Sequence, residues 1–384
     1  MAFAVASHVD FLPSASDHKV SQFKLVPGAP YFHWSNANSN WDKHFLFSYS
    51  RHSMVEFLGF IKERNAYPAL KILAPRYMCH EVITTLGEHA QDISYYEQAE
   101  DFSYDVGEIK ALAYQHGCNI LMVSHMYGKY CSKLKELSEF CEASNISLLE
   151  DSAHLPWFYL EKRPQYSDVQ FFTYRKLFSI PYGASAVVRG ALRPGFSQFV
   201  RNKVSKVYPP AVARATVKWF LREQTKRLIA KSGLGWKRHY VELGDDPLQP
   251  FNRLPGILES QLRHLDAHNF VQSRRDNFSR LNAFFKAELP AWEVLGFDLD
   301  NDVPYQFMFF KREQIDFKKI INQFLSYGIS MVKGLELPRG TAIELGASHP
   351  FNNQLCLPIH QDVNRAQLDH MIHVCRQILV NSKA

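Results

Sequence analysis

From about residue 50 to residue 190, short apolar runs alternate with stretches of helical periodicity. The run Leu70-Lys71-Ile72-Leu73-Ala74 stops at Pro75, and Asn119-Ile120-Leu121-Met122-Val123 stops near His125 and Gly128. Ile146-Ser147-Leu148-Leu149 stops at Glu150 and Asp151, and Val169-Gln170-Phe171-Phe172 and Ala184-Ser185-Ala186-Val187-Val188 follow. Runs this brief, without polar alternation, suit strands buried on both faces. Between them, Asp105 reads as an N-cap followed by Glu108, with Val106, Ile109, Leu112 and Ala113 as the apolar stripe. The segment Cys131–Ala143 places Leu134, Leu137, Phe140 and Cys141 on one side. Strand and helix in alternation predict an α/β fold with a largely parallel sheet, whose ligands sit beyond the carboxyl ends of the strands. After about residue 250 the pattern shifts to helices over Leu258–Leu281 and Arg365–Val380 around a strand near Gln306–Phe310, a smaller α+β domain. The division this gives is an arm over 1–39 packed on the small domain, a large α/β domain over 40–245 and the small domain over 246–384.

Composition narrows the class. Hydrophobic residues make up 46% of the 384-residue chain and charged residues 21%, a globular balance, while 29 Phe point to densely packed aromatic interiors or interfaces. The six cysteines form no C-x-x-C pair, so reduced thiols are expected. The opening MAFAVASHVDFLP has no basic leader, and no apolar run is long enough to span a membrane, which predicts a cytoplasmic protein. The net charge of +6 is concentrated: eleven Lys and Arg lie between Arg201 and Arg238 against the single acid Glu223. A basic pI made by one segment is no argument for nucleic-acid binding, and none is expected. No G-x-G-x-x-G, P-loop or G-x-S-x-G occurs, and His116, His264, His268, His370 and His373 lack metal-ligand spacing, so no metal site is expected.

The densest chemistry lies in LLEDSAHLPWF and the following YSDVQFFTYRKLFSIPYGASAVV. Asp151 ends a buried strand, His154 follows three residues later, and Lys176 sits just past the end of the next strand. A buried aspartate is costly unless paired with a cation. A protonated pyridine nitrogen is such a cation, and a desolvated lysine on the same crevice could form the covalent link of a pyridoxal enzyme. An aspartate, a strand and a lysine in succession are also an ordinary structural arrangement, and Asp168, which opens the strand, reads as a turn cap.

The stretch resembles the sugar aminotransferase family often called DegT/DnrJ/EryC, a branch of the fold-type I pyridoxal phosphate (PLP) enzymes with the aspartate-aminotransferase fold. The matching elements are Asp151-Ser152-Ala153-His154, Ser167-Asp168, Thr173-Tyr174-Arg175-Lys176 and Pro181-Tyr182-Gly183-Ala184. The resemblance implies that Lys176 carries the cofactor, Asp151 contacts its ring nitrogen, His154 lies near the ring hydroxyl and Thr173 near the phosphate. It extends to Val123-Ser124-His125-Met126-Tyr127-Gly128, a loop that includes His125, and to Pro75-Arg76-Tyr77-Met78-Cys79, where Cys79 and His80 compete to stack on the ring. Ser50-Arg51-His52-Ser53 stands where the family binds phosphate at a helix start, giving Arg51, His52 and Ser53 as contacts. Phe251-Asn252-Arg253, Gln261-Leu262, Arg274-Arg275-x-Asn277 and Leu357-Pro358-Ile359-His360 match the small domain, with Asn252 reaching a neighbouring subunit's phosphate. Ser50 replaces a usual glycine, Ala184 the second glycine of its turn, and Thr173 a serine.

By resemblance the expected activity is transfer of an amino group from glutamate or glutamine to a keto-sugar, nucleotide-linked, for polysaccharide or glycosylated-metabolite biosynthesis, in a homodimer. Two rivals stand beside it: another PLP reaction on the same scaffold, and a non-catalytic binding or membrane-associated protein. Relatives that dehydrate sugars carry histidine in place of the lysine, which Lys176 argues against. The basic helical segment, 201–240, has three readings: a solvated helix docked by Val217, Phe220, Leu221, Gln224 and Leu228, a peripheral membrane contact through 201–238, or a holder of a diphosphate.

Overall fold

The computed structural model describes residues 43–47, 49–178, 183–203, 217, 221, 267–313, 315–335 and 349–380. The arm, nearly all of the basic segment and Asn252 lie outside the described residues.

Seven strands form the larger sheet: β1 (His44–Phe47), β2 (Lys71–Pro75), β3 (Asp92–Tyr96), β4 (Ile120–Ser124), β5 (Ser147–Asp151), β6 (Val169–Thr173) and β7 (Ala184–Val188). Their order is β1-β7-β6-β5-β4-β2-β3. The pairs from β6 through to β3 are parallel, whereas β7 runs antiparallel to β6 and β1 antiparallel to β7. The alternation of elements thus yields the expected parallel sheet, closed on one side by an antiparallel pair. β4, β5, β6 and β7 are buried at every residue, which is why they read as continuous apolar runs. β1 and β3 are half-exposed, and neither carries such a run.

Helices cover both faces. On one, α1 (Ser50–Arg64) and α6 (Arg193–Lys203) bring Met54, Phe57 and Phe196 against Phe171 and Ala186. On the other, α3 (Val106–Gln115) and α4 (Leu134–Ala143) pack Ile109 and Leu137 against Leu73 and Val123. Asp105 caps α3 as its sequence suggests, its Oδ1 accepting from the N–H groups of Gly107 at 2.6 Å and Glu108 at 3.3 Å. α4 starts at Leu134 rather than Cys131, and the Cys131 N–H donates instead to the Nδ1 of His125, 3.1 Å distant.

The second sheet is antiparallel and four-stranded, in the order β10 (Val332–Lys333), β11 (Gln354–Leu357), β9 (Phe307–Phe310) and β8 (Glu293–Val294). It packs on α7 (Ala267–Glu288), α8 (Phe317–Ser326) and α9 (Arg365–Cys375), with Phe285, Phe309, Phe324 and Met371 in its core. The helix expected over Leu258–Leu281 is described from Ala267 and runs on to Glu288. The one expected over Arg365–Val380 is α-helical to Cys375 and finishes in a π turn over Arg376–Val380. A mixed aromatic layer containing Tyr77, Phe102, Tyr127, Trp157, Tyr305 and Phe351 joins the two sheets. Among the described residues all six cysteines are free thiols, no cluster of metal-ligating residues occurs, and no helix is long and apolar enough to cross a membrane.

Candidate active site

β2 and β4 are neighbours in the sheet although β3 lies between them in the chain, so the strand order reverses there. A crevice opens at such a switch point, beyond the carboxyl ends of the strands. The sequence places its chemistry at those ends: Asp151 closes β5, Thr173 closes β6, and Lys176 ends the 3-10 turn Tyr174–Lys176 that follows.

Asp151 is buried, and its Oδ1 accepts from the Ala153 N–H at 3.0 Å. It forms no ion pair with any described residue. Burial raises its carboxyl above the usual range, opposed by the nearby charge of Lys176 and by the Ala153 N–H. Lys176 Nζ lies 3.2 Å from Nε2 of His154. The other ring nitrogen, Nδ1, accepts from the Tyr127 N–H at 3.2 Å, so the neutral ring carries its proton on Nε2, the nitrogen nearer the lysine. Burial, aided by Lys176, holds His154 well below the usual imidazole range, hence neutral. Its ring stacks between Tyr305, at 4.6 Å, and Tyr127, at 5.7 Å.

Thr173 Oγ1 donates to Ser50 Oγ at 2.9 Å, which joins the end of β6 to the start of α1. The N-cap of α1 is Tyr49, without a side-chain cap, and no acid stands in the first turn. Such a helix end presents N–H groups and a positive dipole to an anion. The side chains of the neighbouring residues are engaged locally. Arg51 pairs with Glu81 at 3.3 Å and covers the Tyr49 ring, and Ser53 Oγ donates back to the Ser50 carbonyl at 2.7 Å. His52 packs edge-on to Tyr49, its pKa lowered to about 4 by burial and then by Arg51.

Cys79 and His80 separate. His80 is exposed, whereas Cys79 sits within electrostatic reach of Lys176, its thiol pushed up by burial and held back by that lysine. His125 is fully buried with both ring nitrogens taken: Nδ1 accepts from Cys131 N–H, and Nε2 donates to Glu150 Oε1 at 2.7 Å. It belongs to a buried polar cluster with Glu150. Glu150, itself fully buried, also accepts from Ser167 Oγ at 2.8 Å and Gln170 Nε2 at 2.9 Å. A buried carboxylate needs donors of this number. Asp168 is structural, its Oδ2 accepting from the Leu148 N–H at 3.0 Å.

Sequence reasoning missed Glu150, Tyr127 and Tyr305 as individual participants. Glu150 showed only as the stop of a strand, and Tyr127 lay unremarked inside a quoted motif. Tyr305 gave no local signal, since it joins the site from the other sheet's side of the molecule.

No family model matches the sequence, and no curated protein does. Solved structures do resemble the chain. The aminotransferase TlmJ from Streptoalloteichus hindustanus superposes with a TM-score of 0.62 at 14% identity, covering 89% of this chain and 87% of that one. PseC from Helicobacter pylori, an aminotransferase of pseudoaminic acid biosynthesis, gives 0.60 at 14% identity over 88% and 86%. NtdA from Bacillus subtilis, solved with bound cofactor PMP, gives 0.60 at 11% identity over 88% and 73%. At such identities the likeness is one of fold. The chain has the aspartate-aminotransferase-like α/β fold of the fold-type I PLP enzymes.

Proposed function

We propose that the protein is a PLP-dependent aminotransferase that passes an amino group from glutamate or glutamine to a keto-sugar, nucleotide-linked, within polysaccharide or glycosylated-metabolite biosynthesis. The observation that carries this is the pairing of Lys176 Nζ with a neutral His154, beside a buried Asp151 carboxyl that forms no ion pair with any described residue. That carboxyl fits the cofactor: a protonated ring nitrogen would relieve the cost that burial imposes on it. The uncapped N-terminus of α1, with Ser50 and Thr173 at its mouth, fits the phosphate.

When bound, PLP supplies an electron sink for negative charge on the carbon that carries the amine. Asp151 holds the proton on the ring nitrogen. His154, fixed by Tyr127, offers its Nε2–H to the ring hydroxyl. Lys176 moves a proton to and from the substrate carbon. Cys79 would lie on the ring, and His125 braces the strand end that carries Asp151. In this reading the protein is a homodimer, and Asn252 supplies the phosphate contact across the subunit boundary. That several structures of this fold are aminotransferases, and that one further neighbour was solved with bound PMP, supports the activity class.

The test is the visible absorbance of purified protein supplied with PLP, beside a Lys176→Ala variant. A band that is absent in the variant and is consumed on adding glutamate, with release of 2-oxoglutarate, is the expected result. A colourless protein that retains no added PLP would overturn the reading and leave a binding protein of this fold.

A further inference from the structure

The N-terminal half of α7 carries Arg274, Arg275 and Asn277, and each donates to backbone carbonyls of other segments. Arg275 holds the carbonyls of Asp302 at 3.0 Å and Asp300 at 3.2 Å, and Asn277 those of Val363 at 3.2 Å and His360 at 3.3 Å. Of the three, Arg274 leads toward Lys176. It is 1% exposed and forms no ion pair with any described residue. Asp362, within its electrostatic reach, is engaged with Gln361 Nε2 and with His360. Burial lowers the guanidinium to about 10, so it stays charged at neutral pH. A cation kept in the interior is costly, and here neutral oxygens and a ring face carry it. Nη1 donates to the Tyr305 carbonyl at 2.8 Å and to that of Pro304 at 3.4 Å, and the group lies 4.5 Å from the Phe270 ring centre. Nε and Nη2 converge on Gln361 Oε1, at 3.2 Å and 3.1 Å.

Two arms run from this fork to the groups that flank Lys176. Because both guanidinium donors claim Oε1, the Gln361 amide is held in one of its two orientations, with its NH2 group turned to the Leu177 carbonyl at 3.3 Å. Leu177 follows Lys176 directly in the chain. The second arm is Tyr305. Arg274 fixes its carbonyl, its ring stacks at 4.6 Å on His154, and Nε2 of His154 lies 3.2 Å from Lys176 Nζ.

We infer that Arg274 is a positioning residue for Lys176, acting through Gln361 on the backbone after the lysine and through Tyr305 on the imidazole beside its amine. A lysine cannot replace it, because an ammonium lacks the planar fork that holds two carbonyls and an amide oxygen together. The inference deepens the function proposed above and rests on it for what Lys176 does. The two arms themselves rest on the contacts of Arg274 and Gln361.

The test uses the full-length protein without and with PLP. Without PLP, NMR of the histidine ring nitrogens, assigned with His154→Gln, reads the surroundings of the His154 ring. With PLP, the rate at which the visible band appears reads the placing of the Lys176 amine. The variants are Arg274→Lys, Gln361→Glu and Arg275→Lys. Gln361→Glu keeps an oxygen for Arg274 and removes the donor to Leu177, so it carries the test even where Arg274→Lys fails to fold. Arg275→Lys gives up carbonyl contacts of the same kind on the same helix without touching either arm. Arg274→Lys and Gln361→Glu should shift the His154 nitrogen signals and slow the band by about tenfold or more. Arg275→Lys should lower Tm and leave both readouts at the parent's values. Should the parent form no band, the proposed function falls, and the histidine signals still decide the role of Arg274. Signals that stay at the parent's positions in Arg274→Lys and Gln361→Glu, or that move as far in Arg275→Lys, overturn the positioning role.

Discussion

Asp151 shows how one side chain trades stability for chemistry. Its carboxyl is buried without an ion-pair partner among the described residues, and burial raises its pKa above the ordinary aspartate range. The raised value means that the folded apoprotein holds a proton where the unfolded chain has lost it. Between the two pKa values stability therefore falls as pH rises, and above both the full cost of burying the charge remains. Asp151→Asn retains an oxygen for the Ala153 N–H and removes the charge. The expected outcome is an apoprotein more stable by roughly 1 kcal/mol at neutral pH, a gain that shrinks as pH falls through the raised carboxyl value, together with weakened PLP binding. Urea denaturation at neutral and acid pH, with absorbance of the loaded protein, checks both. A variant less stable than the parent at neutral pH would show that the charge is compensated in the apoprotein after all.

At the scale of elements, the loop after β4 organises the site. Tyr127 adopts φ 51°, ψ 19° and Gly128 φ 90°, left-handed conformations in succession. This turns the Tyr127 N–H to His154 Nδ1, while the carbonyls of Tyr127 and Gly128 accept from the N–H groups of Tyr305 at 2.8 Å and Val303 at 3.0 Å. One loop therefore fixes the tautomer of His154 and docks the segment that carries Tyr305. A Cβ at Gly128 would run into the Val303 carbonyl oxygen. Gly128→Ala should destabilise by about 3 kcal/mol or more, since both the pairing and the backbone conformation are lost. Gly296→Ala, where nothing stands within 4 Å of the added carbon, should stay within about 0.5 kcal/mol of the parent. Denaturant midpoints of the two variants decide it, and equal shifts would refute the account of the loop.

Across the whole molecule, the two sheets meet through a buried polar knot inside the aromatic layer. Tyr77 O–H donates to Gln354 Oε1 at 2.6 Å, Tyr127 O–H reaches the same oxygen at 3.2 Å, and the Tyr127 hydroxyl accepts from the Leu335 N–H at 3.0 Å. Phe102 and Phe351 stack beside it at 5.0 Å with an interplanar angle of 1°. Because two donors share one acceptor, Gln354→Leu should cost more than Tyr77→Phe. The pair should be coupled by about 1–2 kcal/mol in a double-mutant cycle. Additive effects would mean that Tyr77 and Gln354 are not energetically coupled across the two sheets.

The sequence by itself determined the α/β class, the buried strands, the cap of α3 and the placing of Asp151, Thr173 and Lys176 beyond strand ends. These are legible because strand burial, helix periodicity and capping are local patterns, each written within about ten residues. The edge strands β1 and β3 went unread, being half-exposed and without an apolar run. Tertiary structure alone decided that Cys79 is part-buried while His80 is exposed, that both nitrogens of His125 are spent, and that Tyr305 covers His154. It also decided that Glu150 collects donors from β4's end, the turn before β6 and β6 itself. The physical reason is common to all of these: each is a relation between side chains far apart in the chain, set by strand order and by how the second sheet docks, and such relations leave no periodic trace along the sequence.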